Sequence, residues 1–332
     1  MRGQCSEVKV LSGVDTAVLT RKVEINVLIP AHNSERRVGG VIANLGRQWL
    51  PGEVLLRVMV CANACGDNTA VEAQRALNRI KKPGKVETEL IETSEAGQPQ
   101  ALNTMVARVP TGGRKQVVIE LQDDSFPGMG ALAVLAAAAC LHPELGAIGV
   151  VPRAIPTYRS KNAGWGEKVA FVISKLDYYS REVLIDRLCA FDPEVMGEFP
   201  DLASVDLFMV QEAMKLAGGY GIIDPCEAVV FNRVPETLLD LVRQRLMYLG
   251  ITKQMIRAYP DYRELVGQVR GPRVKRVFKD FLFSDCPEGL DFGMGDRIGA
   301  LVVMVGTRIM AGFYDKLFPY RSSKRGRINS AI

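Results

Sequence analysis

The chain has 332 residues, 48% hydrophobic and 24% charged, a globular composition that excludes disorder of the whole chain and allows one large domain or two closely joined ones. Its 42 basic and 37 acidic residues give a net charge of +5. That balance suits an anionic ligand or a membrane surface and does not imply nucleic acid, so no nucleic-acid partner is expected.

Residues 1–22 read as an N-terminal extension without the apolar run of a secretory signal. The first strand is Val23–Ile29, rich in β-branched residues. A helix follows, with Val38, Val41, Ile42 and Leu45 on one face, Asn33 as its cap and Glu35 in its first turn. The second strand is Val54–Val60, and Thr69 and Glu72 then stand at capping-box spacing before Ala73, Leu77 and Ile80. Strands at Val86–Ile91, Val117–Leu121 and Ala147–Val151 continue the alternation, with the Ala-rich helix Ala131–Leu141 before the last. Strands alternating with helices in this way specify βαβ units and a mainly parallel sheet. From Pro152 to Trp165 the chain reads as a loop or flap. Beyond it come a helix at Asp206–Leu216, a short strand at Ala228–Phe231 and a long helix at Pro235–Ala258. No stretch reaches the roughly 20 apolar residues of a membrane span. The nearest, Ile298–Phe313, is short and contains Arg308.

Ligands of parallel sheets bind beyond the carboxyl ends of the strands. After the first strand comes Pro30-Ala31-His32-Asn33-Ser34-Glu35, and after the second Cys61-Ala62-Asn63-Ala64-Cys65-Gly66-Asp67-Asn68-Thr69. After the third comes Glu95-Ala96-Gly97-Gln98-Pro99-Gln100-Ala101-Leu102-Asn103, and after the fourth Gln122-Asp123-Asp124-Ser125-Phe126-Pro127. Helix N-termini attract phosphate, and Asn and Asp side chains hydrogen-bond a base and ribose. Carboxylates ending a buried strand call for a cation, and a hydrated Mg²⁺ or Mn²⁺ on a diphosphate uses one or two of them. The sum is a site for a nucleoside diphosphate with a divalent metal. A plainer reading stands beside each piece: Asn33 as a turn or cap, Asp123-Asp124 as a solvated turn. Neither a dinucleotide fingerprint nor a GxxxxGK[ST] loop occurs. Seven cysteines, mostly in apolar surroundings, and only His32 and His142 as histidines favour reduced thiols in a cytoplasmic protein over a structural zinc site.

The order of these pieces resembles family-2-type glycosyltransferases with the GT-A fold. The likeness lies in NVLIPAHNSERRVGGVIANL, VMVCANACGDNTAVEAQRAL, AGQPQALNTMVARV, VVIELQDDSFPGMGALAVL, ASVDLFMVQEAMKLAGGYGIIDPCEAVVF and VPETLLDLVRQRLMYLG, which together cover about residues 23 to 255. It implies a Rossmann-like α/β fold, a mainly parallel mixed sheet flanked by helices, with a helical C-terminal region. It also implies a donor-binding part at 23–151, an acceptor-binding part at 152–258 and a C-terminal region at 259–332. A nucleotide-diphosphate sugar would lie among Pro30, Ala31, Asn33, Glu35, Asn63, Gln98, Asn103, Gln122, Asp123, Gln244 and Arg245. Asp124 would hold the Mg or Mn ion, and Asp206, with Glu198 and Asp201 nearby, would be the base for an acceptor hydroxyl. The acceptor would be a saccharide, a lipid-linked sugar or a protein.

The sequence departs from the pattern at Gln122, where an Asp is usual, at His32 in place of another aromatic, and at Gln98 in place of a Lys. Met247 and Tyr248 replace the Arg-Trp of polymer-making synthases, which points to a non-processive enzyme. Arg243, Gln244 and Arg245 read either as diphosphate or acceptor contacts or as a solvated helix face. The stripe Ile298, Leu301, Val302, Val305, Ile309 and Phe313 reads as core or as an interfacial helix. The tail with Arg321, Lys324, Arg325 and Arg327 reads as solvated or as a peripheral membrane contact. A nucleotidyltransferase and a non-catalytic nucleotide-binding relative remain as alternative functions.

Overall fold

A computed structural model describes residues 7–19, 22–52, 54–155, 187–201, 205–233 and 237–243, together with positions 165, 169, 246, 295, 298–300, 302–303 and 306. The chain divides into two units, Met1–Pro152 with Val183–Asn232, and Arg153–Glu182 with Arg233–Ile332.

In chain order the elements are β1 (Glu7–Leu11), β2 (Val23–Ala31), α1 (Val38–Leu45), β3 (Leu55–Asn63), α2 (Thr69–Ile80), β4 (Val86–Thr93), α3 (Gln98–Val106), β5 (Lys115–Leu121), β6 (Ser125–Pro127) and α4 (Ala131–Leu141). They continue with β7 (Ala147–Val150), β8 (Pro152–Ile155), β9 (Leu188–Phe191), α5 (Pro193–Met196), α6 (Val205–Leu216), β10 (Gly219–Ile223) and β11 (Val230–Arg233). Eight strands form one sheet in the order β1-β10-β7-β9-β5-β2-β3-β4. Every neighbouring pair is parallel except those made by β9, which runs antiparallel to both β5 and β7. This is the mainly parallel mixed sheet expected from the alternating pattern. Residues Glu7–Leu11, expected to lie in an extension, are instead an edge strand, and Pro152–Ile155, expected to be loop, is a strand. A short antiparallel pair joins β11 to β6.

The nine residues of β2 are all buried, as a central strand with both faces covered requires. Two polar members are satisfied within the layer. Glu24 pairs with Arg57 of β3 at 2.9 Å, and Asn26 Nδ2 donates to Gln116 Oε1 of β5 at 2.8 Å. Arg57 also reaches Glu87 of β4 at 2.7 Å. These cross-strand pairs oppose register slips, which would turn buried charges onto the wrong face. The ladder between β2 and β5 ends at Leu28 and Glu120, so Pro30 falls where a missing N–H costs least. α4 buries seven of its residues, mostly alanines, and small side chains let it lie close to the sheet.

In the second unit, Thr237 and Asp240 form a reciprocal cap. The Asp240 N–H donates to Thr237 Oγ1 at 3.1 Å and the Thr237 hydroxyl to Asp240 Oδ2 at 2.6 Å. Residues 238–243 are helical and begin at this cap; Pro235 and most of the helix expected to follow lie outside the described residues. Gln244, Arg245, Met247, Tyr248 and the basic tail lie outside the described residues. Of the apolar C-terminal stripe, Ile298 and Val302 fall among the described residues and are exposed, while Ala300 beside them is buried. Among the described residues no helix is long and apolar enough to cross a membrane.

One close approach in the first unit permits only glycine. A Cβ on Gly146 would stand 2.9 Å from the Ala213 Cα of α6 and 3.0 Å from Val195 Cγ1, and backbone cannot move as a side-chain tip can. Gly146→Ala is expected to lower stability by about 1–3 kcal/mol, seen as a lower urea midpoint at unchanged slope.

Candidate functional site

The chain leaves β2 for β3 and β4 on one side, then returns to place β5 on the other side of β2. That reversal makes the carboxyl ends of β2 and β5 a topological switch point, the place where open α/β sheets bind ligands. Four loops converge on it, those after β2, β3, β4 and β5, and they carry the residues expected from the sequence.

The first two loops are locked to each other. Asn33 (φ 49°) and Ala64 (φ 45°) both adopt left-handed backbone, a conformation that costs free energy in a non-glycine residue and persists where surroundings enforce it. The Gly66 N–H donates to Asn33 Oδ1 at 2.9 Å, which leaves Asn33 Nδ2 to donate to His32 Nε2 at 3.1 Å. His32 Nδ1 lies 2.7 Å from the Asn63 carbonyl. Since a carbonyl only accepts, the imidazole carries its hydrogen on Nδ1. The Glu35 N–H donates to Asp67 Oδ2 at 3.2 Å, and the Asn68 N–H donates to Glu35 Oε2 at 3.2 Å. The Thr69 hydroxyl accepts from the Ser34 N–H at 2.6 Å and donates to Asp67 Oδ1 at 2.5 Å. Hydrogen bonds from Thr69 and the Glu35 backbone, prevailing over partial desolvation, hold the Asp67 carboxyl below its ordinary value.

Two sequence expectations change here. Asn33 does not cap α1, because its left-handed backbone turns the chain and the helix starts at Val38 after Arg37. Thr69 is the first residue of α2, not its cap, and Glu72 pairs with Arg75.

Asn63 ends β3 buried, with Nδ2 donating to the Ala31 carbonyl at 3.0 Å and Oδ1 accepting from the Gly97 N–H at 3.3 Å. It thereby ties three of the four loops. Pro30 and Ala31 are buried strand residues, present at the site through their backbone. Gln98 opens α3 and donates to buried Glu120 of β5 at 2.5 Å. Both polar atoms of Asn103 are bonded to the backbone of Phe199 at 2.8 Å, so this side chain braces the segment after α5.

The carboxylates stand at the switch point itself. Asp123 accepts from the Ser34 hydroxyl, and Arg37 Nη2 lies 3.4 Å from that same oxygen. Desolvation and the like charge of Asp124 push Asp123 upward, against the Ser34 hydroxyl and the Arg37 guanidinium. Asp124 faces a different cation. Arg187 Nη1, on a side chain 4% exposed, lies 3.0 and 3.2 Å from the two Asp124 oxygens and 3.1 Å from Gln122 Oε1. The Gln122 N–H also donates to the Arg187 carbonyl at 3.2 Å.

Asp206 lies half-buried in the first turn of α6. Its charge, with that of Glu120, adds to burial in pushing the buried Cys189 thiol well up. Glu198 and Asp201 are exposed. Arg243, in the second unit, is exposed and 3.7 Å from Asp240. The sequence reading missed Ser34, Arg37 and Arg187. Arg37 was legible as a cation in the turn after β2. Arg187 had no signal, because only the pairing of β9 with β5 brings it to Asp124.

Asn63→Ala would leave the Ala31 carbonyl and the Gly97 N–H without their partner and is expected to cost about 1–3 kcal/mol. Asn63→Asp keeps the acceptor and should retain part of that stability. Urea unfolding of both variants checks the ordering.

No family model and no curated protein matches the sequence. Among solved structures the chain is similar to the mannosyltransferase PcManGT from Pyrobaculum calidifontis, solved in complex with GDP-Man and Mn²⁺. The identity is 20% and the TM-score 0.53, covering 91% of this chain and 82% of that one. S. aureus TarS 1–349 in complex with UDP-GlcNAc matches at 15% identity and TM-score 0.46, covering 86% and 81%. M. tuberculosis glucosyl-3-phosphoglycerate synthase matches at 14% and 0.48, covering 75% and 86%. Identities of this size speak to architecture and not to substrate. The sheet order, the switch point and the first of these likenesses together show that the chain has the GT-A fold.

Proposed function

We propose that the chain is a glycosyltransferase that moves a sugar from a nucleotide-diphosphate sugar to an acceptor hydroxyl, with inversion and without processivity. The observation that carries this reading is the Asp123-Asp124 pair at the β2/β5 switch point of a GT-A sheet, enclosed by four interlocked loops. PcManGT, of the same fold, was solved with a nucleotide sugar. The loops after β2 and β3 would hold the base and ribose, with Asn33, Glu35 and Asn63 shaping the pocket, and Gln98 would line the side toward β5. The rigidity of the Asn33, Asp67 and Thr69 bonds favours a site formed before ligand arrives.

In an inverting displacement the acceptor oxygen attacks the anomeric carbon, the bond to the diphosphate breaks, and a base removes the hydroxyl proton. Asp206, a half-buried residue in the first turn of α6, is proposed as that base. Gln244 and Arg245 are proposed to meet the donor or the acceptor. A saccharide, a lipid-linked sugar or a protein would serve as acceptor, and the C-terminal tail would supply any peripheral membrane contact.

The Mg or Mn ion expected at Asp124 does not fit the side chains present. Both oxygens of Asp124 are within hydrogen-bonding distance of Arg187, Gln122 is neutral, and Asp123 is engaged by Ser34. Among the described residues no group of three or more His, Cys, Asp or Glu side chains is placed to hold a metal. No step is therefore assigned to a metal.

A thermal-shift panel of UDP, GDP, CDP, TDP and their sugars tests the reading, since a ligand of the folded state alone raises Tm by mass action. One nucleotide is expected to stabilise the protein, and turnover of its sugar should release the nucleoside diphosphate. Release of pyrophosphate would indicate nucleotidyl transfer, and binding without turnover on any acceptor a non-catalytic protein. Asp206→Asn should lower turnover by about 10²-fold or more with donor stabilisation retained. Near-wild-type turnover would remove Asp206 from the role.

A further inference from the structure

Each of the two carboxylates at this corner has a cationic neighbour. Asp124 is matched by Arg187, whose Nη1 lies 3.0 Å from Oδ1 and 3.2 Å from Oδ2. Asp123 is matched by Arg37, which approaches to 3.4 Å the Ser34 hydroxyl that donates to Asp123 and acts on that carboxylate through its charge. Two carboxylates thus face two guanidiniums, and the third polar group, Gln122, is neutral. A hard divalent ion is drawn to a site by uncompensated oxygen ligands. Here Asp124, half-buried, already has a cation as partner. Taking Asp124 from Arg187 would break an ion pair made by a guanidinium on a side chain 4% exposed, an unfavourable exchange.

The two arginines are placed for different work. Arg187 is buried and pairs with Asp124, where it offsets charge that would repel a diphosphate. Arg37 is half-buried at the end of the β2 loop and precedes the first turn of α1. A guanidinium there can donate to phosphate oxygens as a planar fork, beside the N–H groups of the helix start.

We propose that Arg37 and Arg187 take the place of a divalent ion in this protein, so that a nucleoside diphosphate binds at the β2/β5 corner without a metal. Arg37 contacts the phosphates, and Arg187 acts through Asp124 as a positioning residue. The proposal rests on the reading of this corner as a diphosphate site.

The test uses the full chain. Manganese is titrated alone and followed by its electron paramagnetic resonance signal. The wild-type protein should leave the free-ion signal as it is in buffer, and stoichiometric binding that Asp124→Ala abolishes would overturn the proposal. The panel of GDP, UDP, CDP and TDP is then melted in EDTA and in Mn²⁺. Equal stabilisation in both buffers is expected. A shift that appears only with Mn²⁺ overturns the proposal and keeps the donor reading, whereas no shift in either buffer removes the donor reading and the proposal with it. Arg37→Gln should weaken nucleotide binding about tenfold or more, the loss of a charge-assisted bond, and Arg37→Lys should recover part of it. Undiminished affinity in Arg37→Gln would count against the phosphate contact. Gln122→Asp combined with Arg187→Gln frees the Asp124 carboxylate and adds a second one beside it, and should create Mn²⁺ binding in a protein of confirmed cooperative melting. If that double variant folds and still ignores Mn²⁺, the charge balance is not what excludes the metal and the proposal fails.

Discussion

The structure depends on the placement of one strand. β2 is buried along its whole length and pairs in parallel with β3 on one side and β5 on the other. Parallel pairing sends the chain away from the sheet at the same end each time, so the loops after β2, β3, β4 and β5 must meet there. The buried Glu24–Arg57 and Asn26–Gln116 pairs hold the register that keeps those ends level. A shift of one residue would part these buried polar pairs and would also separate Ser34 from Asp123.

The loops then act as a single body. Asn63 joins the β2, β3 and β4 ends, and Glu35, Asp67 and Thr69 bind the first two loops from the other direction. Many of these polar atoms satisfy one another, which sets the shape of the crevice and leaves charge, more than hydrogen-bonding capacity, to distinguish its floor. That floor is where Asp123 and Asp124 meet Arg37 and Arg187.

Much of this was legible in the chain because it is local. β2, β3, β4, β5 and β7 show as β-branched runs, and the residues of the four loops follow them directly. What escaped is non-local or weakly patterned. α3 begins Gln98-Pro99 after Gly97 and buries only Pro99, Ala101, Leu102 and Met105, too short a stripe to stand out. β9 is four residues long, and Arg187 bonds Gln122 across 65 residues of chain, so no spacing announces it. Asn33 misled for a different reason. Asparagine serves a helix cap and a left-handed turn equally well, and only the bond from the Gly66 N–H decides between them.

The sheet order also governs how the chain is assembled as it is made. β1 finds its parallel partner in β10, Glu7 opposite Gly219, and β9 must slot between β5 and β7, which precede it. At about 5–20 residues per second of synthesis, β1 waits on the order of 10–40 s for that partner to emerge. During the wait the exposed borders of β5 and β7 present unpaired backbone, the kind of edge that invites pairing with the wrong chain. The half of the sheet around β2 is completed from contiguous sequence by residue 121 and needs no later strand on its β4 side. The part of the crevice built by the loops after β2, β3, β4 and β5 is therefore formed early on the ribosome, and the guanidinium that meets Asp124 follows with β9, ahead of β10, the last strand to join the sheet.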